Sequence, residues 1–554
     1  MSKDKVLWGP GETVSVFVDR SGRVGELSYL VGDGMELFIG ADVEVPFGSR
    51  TGTGVVTGSG DPTKATRNVS RLLGVRSGGD EVAVARTLAQ RHFSNFIAIA
   101  PRLSPAHNAD AEGVDGGVVA LIQGDGFAEL GRDPGDDSIK RRLALCEPLV
   151  DWVRLAALEA AAMSVRGQVL VLCPTKKMVE EVLGQFTSGA ARLDEVPGPA
   201  DDSPWRGFVE GTLSVGVATR SSALWRANNL AGIVVVAEGH RGHIESRQPY
   251  TNARDVAGER ARVNGCELVL IGSNASAGGL GQAGKVRVVG SRKHWPACVL
   301  VERDRKSRYD LELSEVVIEA LSRWRGKGVS PLVVVKGDSA RRQCRECRSG
   351  IVCSVCGDYE CAHPGSQKCS KCGSLRSVVF GWDQRRAARA VGSRCRVISA
   401  DKLVREHDAG LVVVVDGDQF LGGNEVVAGR RAADLVLDAA RAAGAGGELI
   451  VVATAGAEVY ADLVSRRDLV GWARRVWGSM KEMGLPPFGR LVRLRIAAAH
   501  APRLTGWPGR VFGPRFLSDS EYEVIVQCSD SDMVVLGACI DRLRKRLKVR
   551  VSVS

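Results

Sequence analysis

The sequence predicts an α/β protein with two tandem parallel-sheet lobes, a metal-binding insertion in the second lobe, and a small domain at either end. Continuous apolar strands alternate with helical patterns over residues 140–301, and the same alternation returns over residues 302–470. Apolar runs of this kind, separated by helices, indicate parallel sheets that are covered on both faces. A third observation is that seven of the 14 cysteines lie within residues 344–372.

The stretches outside these lobes differ in pattern. Residues 1–105 show short alternating runs, glycine-containing turns and one helical pattern at Glu81–Phe93, which predicts a small β-rich domain. Residues 106–139 are rich in Pro, Gly, Asp and Ala and read as a linker. Residues 471–554 predict a small α+β domain with a basic helix near its end.

Within the first lobe, Leu149–Ala162 has amphipathic helical spacing, and it is followed by a buried strand at Gln168–Pro174 and a second helix at Lys177–Phe186. Within the second lobe, Leu332–Val335 is an apolar strand that directly precedes the cysteine cluster. The Ala-rich stretch Glu425–Ala443 predicts a long helix. With 554 residues, the chain is long enough for several domains.

The cysteine cluster predicts zinc sites, because two C-x-x-C pairs can supply the four thiolates of a closed tetrahedral centre. The arrangement that we favour is nested. The outer group holds one ion and consists of Cys344, Cys347, Cys369 and Cys372. The inner group holds a second ion and consists of Cys353, Cys356, Cys361 and His363. C-x-H is a poorer ligand pair than C-x-x-C, so His363 as a bystander remains an alternative.

Disulfides or free buried thiols are the other interpretation of these cysteines. No signal peptide is recognisable, and no apolar run is long enough to span a membrane. We therefore expect a cytoplasmic protein, in which thiols stay reduced and clustered C-x-x-C pairs favour metal. The net charge of +11 and pI near 9.1 suit a polyanionic partner such as nucleic acid.

Several short motifs, taken in order, resemble those of the PriA family of bacterial replication-restart proteins, also called primosomal protein N-prime. The stretch GADVEVPFGSRTGTG at residues 40–54 resembles that family's first domain, which binds DNA ends. ATRSSAL at 218–224, VVVAEGH at 234–240 and GSNAS at 272–276 resemble motifs of its first lobe. The cysteine cluster and the GLPP turn at 484–487 occupy the family's positions as well.

The resemblance implies two RecA-like lobes with a zinc insertion, and an N-terminal domain that binds the 3′ end of a nascent DNA strand. In that domain the family has F-D-Y-L-V, where this chain has LSYLV, so that Ser28 replaces the base-contacting Asp. Candidate DNA-binding residues are therefore Ser28, Gly48 and Arg50, together with Trp382 beside basic residues as a stacking platform. Gly48 is equally explained as a turn residue, and a charge run is more often only a solvated face.

The resemblance fails at the nucleotide site. No P-loop, G-x-x-x-x-G-K-[ST], precedes the helix at Leu149–Ala162. The stretch GLGQAGKV at 279–286 has the spacing but reads as a loop before a strand. In the acidic motif Ala237 replaces the magnesium-organising Asp and only Glu238 remains, and of the family's arginine-finger stretch only Arg441 survives. The pattern is that of actinobacterial PriA-like proteins that lack helicase motifs.

These observations lead to one favoured hypothesis and two alternatives. The favoured one is a replication-restart protein that binds forked or single-stranded DNA and, with other primosome proteins, helps to reload the replicative helicase without hydrolysing ATP. We assign no catalytic residue and regard bound ATP as doubtful. The alternatives are an active ATP-dependent 3′–5′ DNA helicase with divergent motifs, and a generic zinc-ribbon nucleic-acid-binding protein.

Overall fold

The computed structural model describes residues 7–18, 26–92, 103, 120–121, 140–194, 204–245, 251–291, 295–303, 312–337, 341–351, 368–421, 428–454, 458–497, 504–518 and 521–553. Two compact units are present. The first comprises residues 1–144, 151–286 and 476–554, and the second comprises residues 145–150 and 287–475. Among the described residues, no helix combines the length and apolarity needed to cross a bilayer.

The N-terminal region is a five-stranded antiparallel sheet with strand order β3-β2-β6-β5-β7. Its elements are β1 (Leu7–Trp8), β2 (Thr13–Val18), β3 (Glu26–Leu30), β4 (Leu37–Phe38), β5 (Ala41–Phe47), β6 (Arg50–Ser59), β7 (Arg71–Val75) and α1 (Gly79–Arg91). Residues 67–70 link β3 at one edge to β5 near the other: Leu30 N donates to Arg67 O, and Ser70 N donates to Glu44 O. The sheet therefore curls around an apolar core, as the alternating pattern predicts.

The first lobe has a seven-stranded sheet of order β12-β13-β10-β14-β15-β9-β16, in which β12, β13, β10, β14 and β15 are parallel. The elements are β8 (Ala120–Leu121), β9 (Arg141–Cys146), α2 (Trp152–Ser164), β10 (Gln168–Leu172), α3 (Lys176–Leu183), β11 (Phe186–Ser188), β12 (Ala190–Arg192), α4 (Pro204–Glu210), β13 (Val215–Ala218), β14 (Leu230–Val236), α5 (Ala253–Asn264), β15 (Glu267–Gly272), α6 (Ala277–Gln282) and β16 (Lys285–Val289). The residues of β10 are fully buried, as expected for a central parallel strand.

The second lobe has a five-stranded, all-parallel sheet of order β17-β23-β22-β18-β21. The elements are β17 (Ala297–Arg303), α7 (Glu315–Gly326), β18 (Leu332–Val335), β19 (Arg341–Cys344), β20 (Ser377–Phe380), α8 (Gln384–Val391), β21 (Arg396–Ser399), β22 (Leu411–Val414), α9 (Asp418–Leu421), α10 (Ala428–Ala443), β23 (Glu448–Thr454), α11 (Glu458–Tyr460) and α12 (Leu469–Glu482). Two parallel α/β sheets thus confirm the predicted fold class.

The C-terminal region is an antiparallel sheet of order β25-β26-β24-β27, packed on one helix. The elements are β24 (Arg490–Ala497), β25 (Arg510–Ser518), β26 (Glu521–Cys528), α13 (Met533–Arg544) and β27 (Lys548–Val553). The predicted basic helix therefore ends earlier than its charges suggest, since Lys548 already belongs to a strand. The five-part division of the chain stays a prediction.

Two structural details differ from the sequence-based expectation. The first helix of the first lobe begins at Trp152 rather than Leu149, because the carboxylate of Asp151 caps it. The stretch at 279–286 is not wholly a loop, since it contains the end of the short helix α6 and then β16. The strand after it is confirmed, so no helix N-terminus follows this glycine-lysine sequence.

Two histidines of the first unit are buried and kept neutral. Burial lowers the pKa of His92 to about 4, an effect that Asp255 opposes and that Arg490 and Arg91 reinforce. Burial also lowers the pKa of His243 to about 4, and its Nε2 lies 2.8 Å from the carbonyl oxygen of Val236.

We expect the first unit to lose stability as the pH falls from about 6.5 to 4. Because the folded-state pKa lies below the unfolded one, stability is fully present above pH 6.5 and is lost below it, by up to about 3 kcal/mol per histidine. The unfolding temperature, measured across this range, should fall less steeply in His92→Gln than in the unchanged chain. His407→Gln, at an exposed position, is the control, and equal slopes in all three proteins would contradict the assignment.

Candidate functional site

The described part of the cysteine cluster forms one compact four-thiol group. The hairpin β19–β20 pairs Cys344 with Ser377 and so holds the two ends of the insertion together. The sulfur atoms of Cys344, Cys347, Cys369 and Cys372 all lie within 4.8 Å of one another. The Sγ–Sγ distance is 3.5 Å for Cys344–Cys372 and again for Cys347–Cys369.

The two C-x-x-C pairs have matching backbone conformations. In the first, Cys344 N donates to Ser349 O and Arg348 N donates to Cys344 O. In the second, Cys369 N donates to Ser374 O and Gly373 N donates to Cys369 O. The residue after each second cysteine has a positive φ, +55° at Arg348 and +73° at Gly373. Both pairs are therefore turns that present two sulfurs to one point.

This geometry fits a metal ion of the zinc type. A tetrahedral zinc with Zn–S bonds of about 2.3 Å places its sulfurs about 3.8 Å apart, close to the distances observed. Hydrogen bonds, first among them one from the backbone of Cys347, lower the pKa of Cys344. Those from the side chain and backbone of Ser349 lower the pKa of Cys347 to about 6. Although a backbone hydrogen bond from Ser374 opposes it, hydrogen bonds with the thiols of Cys344 and Cys347 raise the pKa of Cys372 to about 12. Of these three thiols, Cys344 and Cys347 therefore ionise more readily than Cys372.

The structure brings the predicted outer group together, and this group could hold a metal ion. The predicted inner ligands, Cys353, Cys356, Cys361 and His363, lie outside the described residues. The second site therefore stays a prediction.

The loop between β9 and α2 has no feature of a phosphate cradle. Asp151 accepts hydrogen bonds from Val153 N at 2.9 Å and Arg154 N at 3.1 Å. In a P-loop, amides at this position bind phosphate with the help of the helix dipole. Here the carboxylate of Asp151 already accepts hydrogen bonds from two of these amides, and its negative charge would repel a phosphate.

Arg441, the remnant of the arginine-finger stretch, has partners within the second unit. Its Nε donates to the carbonyl oxygen of Pro148 at 3.2 Å, and its Nη1 lies 3.1 Å from Oδ1 of Asp438. The guanidinium of Arg441 is thus hydrogen-bonded and ion-paired to residues of its own unit.

Glu238 is fully buried at the end of β14 and is bonded on both oxygens. Its Oε1 accepts from Ser276 N at 2.9 Å, and its Oε2 accepts from the Ser276 hydroxyl at 2.5 Å. Nη1 of Arg254 lies 3.3 Å from Oε2 and also donates to Ser276 Oγ at 2.9 Å. We call these three residues, Glu238, Arg254 and Ser276, the Glu238 cluster.

The cluster is tightly enclosed. A Cβ on Gly279 would lie 2.8 Å from the Glu238 carboxyl group, and one on Gly278 would lie 2.1 Å from the Arg254 guanidinium. Although burial opposes it, the carboxylates of Asp255 and Glu238 raise the pKa of Arg254. Arg254 therefore stays charged and supplies the cation that neutralises Glu238.

The residue before Glu238 is unusual as well. Ala237 has a φ of +51°, in the left-handed region that side chains with a Cβ seldom adopt. Glu238 N donates to Ile271 O, which fixes the chain as it leaves β14. Ala237 supplies no carboxylate, and both oxygens of Glu238 accept hydrogen bonds within the Glu238 cluster.

The candidate DNA-binding residues of the N-terminal region lie in separate places. Ser28 faces Ser15 across β2 and β3, and its Oγ accepts from Asp61 N at 2.9 Å. Gly48 forms the turn between β5 and β6 with a φ of +60°, and its carbonyl accepts from Arg67 Nη1 at 2.9 Å. Arg50 is exposed at the start of β6. The positive φ of Gly48 favours glycine in this turn. The space around Gly48 is open and also permits close approach of a ligand.

Trp382 does not suit the stacking role that its basic neighbours suggest. Its side chain is 2% exposed and packs in the core of the second lobe with Val333, Val413 and Ala387. A base needs an uncovered ring face for stacking, so core packing accounts for this tryptophan.

Sequence reasoning missed the partners of Glu238. Arg254 lies in none of the motifs quoted above, and Ser276 appears there only as the last residue of GSNAS. The available signal was the residue type of Ser276, since serine is favoured at helix N-caps and Ser276 caps α6. Nothing in the sequence indicates that the capping hydroxyl also bonds a carboxylate 38 positions earlier.

The site and fold together define a two-lobed α/β protein with a four-cysteine group that could hold a metal ion and an internally bonded acidic motif. The chain is similar to proteins named "Probable replication restart protein PriA" from Mycobacterium tuberculosis and Mycobacterium bovis. The identity is 27% over 465 residues, which is 70% of this chain and 68% of either relative. This similarity confirms the resemblance that the motifs indicate. No family model matches the chain.

Solved structures with similar coordinates include RecG bound to a three-way DNA junction and the DUF1998 helicase MrfA bound to DNA. RecG is 11% identical with a TM-score of 0.33, over 87% of this chain and 75% of RecG. MrfA is 13% identical with a TM-score of 0.28, over 62% of this chain and 47% of MrfA. These likenesses are too weak to support an argument about function.

Proposed function

We propose that this chain is a replication-restart protein that binds forked or single-stranded DNA and helps to reload the replicative helicase without hydrolysing ATP. The observation that carries the proposal is the similarity over 465 residues to relatives named as probable replication restart proteins. Other primosome proteins and the replicative helicase are its proposed partners. The excess of basic residues supports a polyanionic ligand.

Three features support the absence of ATP hydrolysis. The carboxylate of Asp151 occupies the amides at the start of α2. Ala237 supplies no carboxylate, and Glu238 is bonded to Arg254 and Ser276. Phosphoryl transfer depends on a phosphate cradle and a positioned metal. In this chain, internal contacts of Asp151 and Glu238 take the place of the phosphate cradle and of the metal-positioning carboxylates.

We propose zinc as the metal of the outer cysteine group, with a second zinc in the inner group. The four thiolates and one Zn²⁺ carry a net charge of −2, which the exposed cations Arg345, Arg348 and Lys371 offset. The role that we propose for the module is to dock other primosome proteins or a single DNA strand. For the N-terminal region we propose DNA contacts at Ser28, Gly48 and Arg50.

The proposal is tested by binding of the full chain to forked and to linear duplex DNA, measured by fluorescence anisotropy at fixed salt. We expect tighter binding to the fork, by about tenfold or more, because specific recognition adds to the common phosphate contribution. Equal affinity for both would favour a generic nucleic-acid-binding protein.

We expect no fork-stimulated ATP hydrolysis, either in the unchanged chain or in Glu238→Ala. The substitution should instead lower the unfolding temperature of the first unit, because it leaves Arg254 charged and buried without its partner. Glu181→Ala, which removes an exposed carboxylate with a 3.5 Å ion pair to Lys177, should leave the unfolding temperature nearly unchanged. DNA-stimulated turnover that Glu238→Ala abolishes would establish the active-helicase alternative.

A further inference from the structure

The C-terminal sheet separates apolar from charged side chains between its two faces. In β24, Val492, Leu494 and Ile496 are buried, whereas Arg493 and Arg495 are exposed. The apolar face packs with Leu536 and Ile540 of α13. Because side chains alternate along a strand, the charged positions of the four strands lie on the face away from α13, except for Arg490 at the start of β24.

The register of the sheet places cations side by side on that face. Arg495 lies directly opposite Arg550 on β27, and Ala497 lies opposite Lys548. On its other side, Arg495 lies opposite Glu523 of β26. Glu523 in turn lies opposite Arg515 of β25. The nearest carboxylate is therefore shared among several cations, and Arg493 also approaches Glu523, at 3.6 Å.

We call this surface the basic sheet face. It is formed by Arg493, Arg495, Arg510, Arg515, Lys548 and Arg550, all exposed. Glu521 and Glu523 are the carboxylates that the register places on the same face, which leaves an excess of four positive charges. Like charges directly opposite each other weaken a sheet, so this surface gains stability from an external anion.

An exposed aromatic ring adjoins these cations. Phe512 is 44% exposed and lies opposite Ile525 in the register, in the row next to Arg515. The guanidinium carbon of Arg510 lies 5.9 Å from the centre of its ring. Successive rows of the face are about 7 Å apart along the strands, since each residue rises about 3.4 Å. Base-stacking and phosphate contacts can therefore alternate across the surface.

We propose that the basic sheet face binds single-stranded nucleic acid, with phosphates on the arginine rows and a base stacked on Phe512. A single strand fits better than a duplex because its bases are free to stack on an aromatic side chain. The inference rests on the proposed function and adds a second DNA-binding surface to it, in the first unit but apart from the N-terminal sheet.

The test compares full-length variants for binding of labelled oligothymidylate and of a blunt duplex over a range of salt. The double substitution Arg495→Ser with Arg550→Ser should weaken single-strand binding about tenfold and reduce the salt slope by about 1.4, at about 0.7 per lost phosphate contact. Phe512→Ala should weaken single-strand binding about fivefold or more and leave duplex binding nearly unchanged.

The matched control is Lys545→Ser with Arg546→Ser, which removes the same charge from exposed positions just after α13. Unfolding temperatures exclude loss of the fold as a cause. The inference would be overturned if the control pair weakened single-strand binding as much as the test pair, or if both test variants bound single strands as the unchanged chain does. In either case the unchanged chain would still bind forked DNA. Failure of the unchanged chain to bind any DNA would instead refute the proposed function.

Discussion

Replacing Cys369 by Ser is expected to release one zinc ion per chain and to unfold the hairpin module around it. Cys369 is 2% exposed and forms the centre of a small core with Cys344 and Ile351. Such a core is too small to fold unaided, and structural zinc sites contribute on the order of 10 kcal/mol to the folding of their modules. Zinc content, measured by atomic spectroscopy, should fall by one ion, and the module should become sensitive to protease.

Cys298→Ser is the matched control for this experiment, because Cys298 lies on β17 outside the cluster, where its thiol donates to the Pro296 carbonyl and also interacts with Arg467. Its zinc content should equal that of the unchanged chain. Full zinc content in Cys369→Ser would show that the nested pairing is wrong. The pairing would also be wrong if Cys369→Ser and Cys353→Ser each lost both zinc ions while the hairpin stayed intact.

Replacing Arg260 by Ala is expected to destabilise the first unit by about 3–5 kcal/mol, the usual cost of leaving a buried charge without its partner. Arg260 on α5 is 1% exposed. Its Nη2 donates to Oε1 of Glu81 on α1 at 3.0 Å, and its Nη1 donates to the Ala223 carbonyl at 2.8 Å. One side chain therefore joins the N-terminal helix to two segments of the first lobe.

Chemical or thermal unfolding of the first unit would measure this effect. Lys177→Ala is the control, because Lys177 is 87% exposed and its ion pair with Glu181 lies on the surface, where such pairs contribute about 1 kcal/mol or less. Combining Arg260→Met with Glu81→Gln should recover part of the loss, since no buried charge then remains unpaired. A double variant less stable than Arg260→Ala would contradict this explanation.

Local patterns in the sequence were sufficient to predict the two parallel lobes and the outer cysteine group. Residues 168–172 and 332–335 are apolar without interruption, and only a strand covered on both faces suits such runs. The C-x-x-C pairs likewise carry their geometry within four residues each.

Features that depend on distant residues could not be read in this way. Trp382 has basic neighbours in sequence, but its environment is set by β18 and β22, so burial rather than charge decides its role. The basic sheet face required the register of β24 with β27, and strands so far apart in sequence give no local sign of their pairing. The Glu238 cluster depends in the same way on three separate segments.

The glycines over the Glu238 cluster also limit which substitutions this part of the chain tolerates. A side chain at Gly278 would collide with the Arg254 guanidinium, and one at Gly279 would collide with the Glu238 carboxyl group. Under the proposed function, a return to ATP hydrolysis would need a carboxylate at position 237 and also the release of Glu238 from Ser276 and Arg254. A single substitution does not supply both changes.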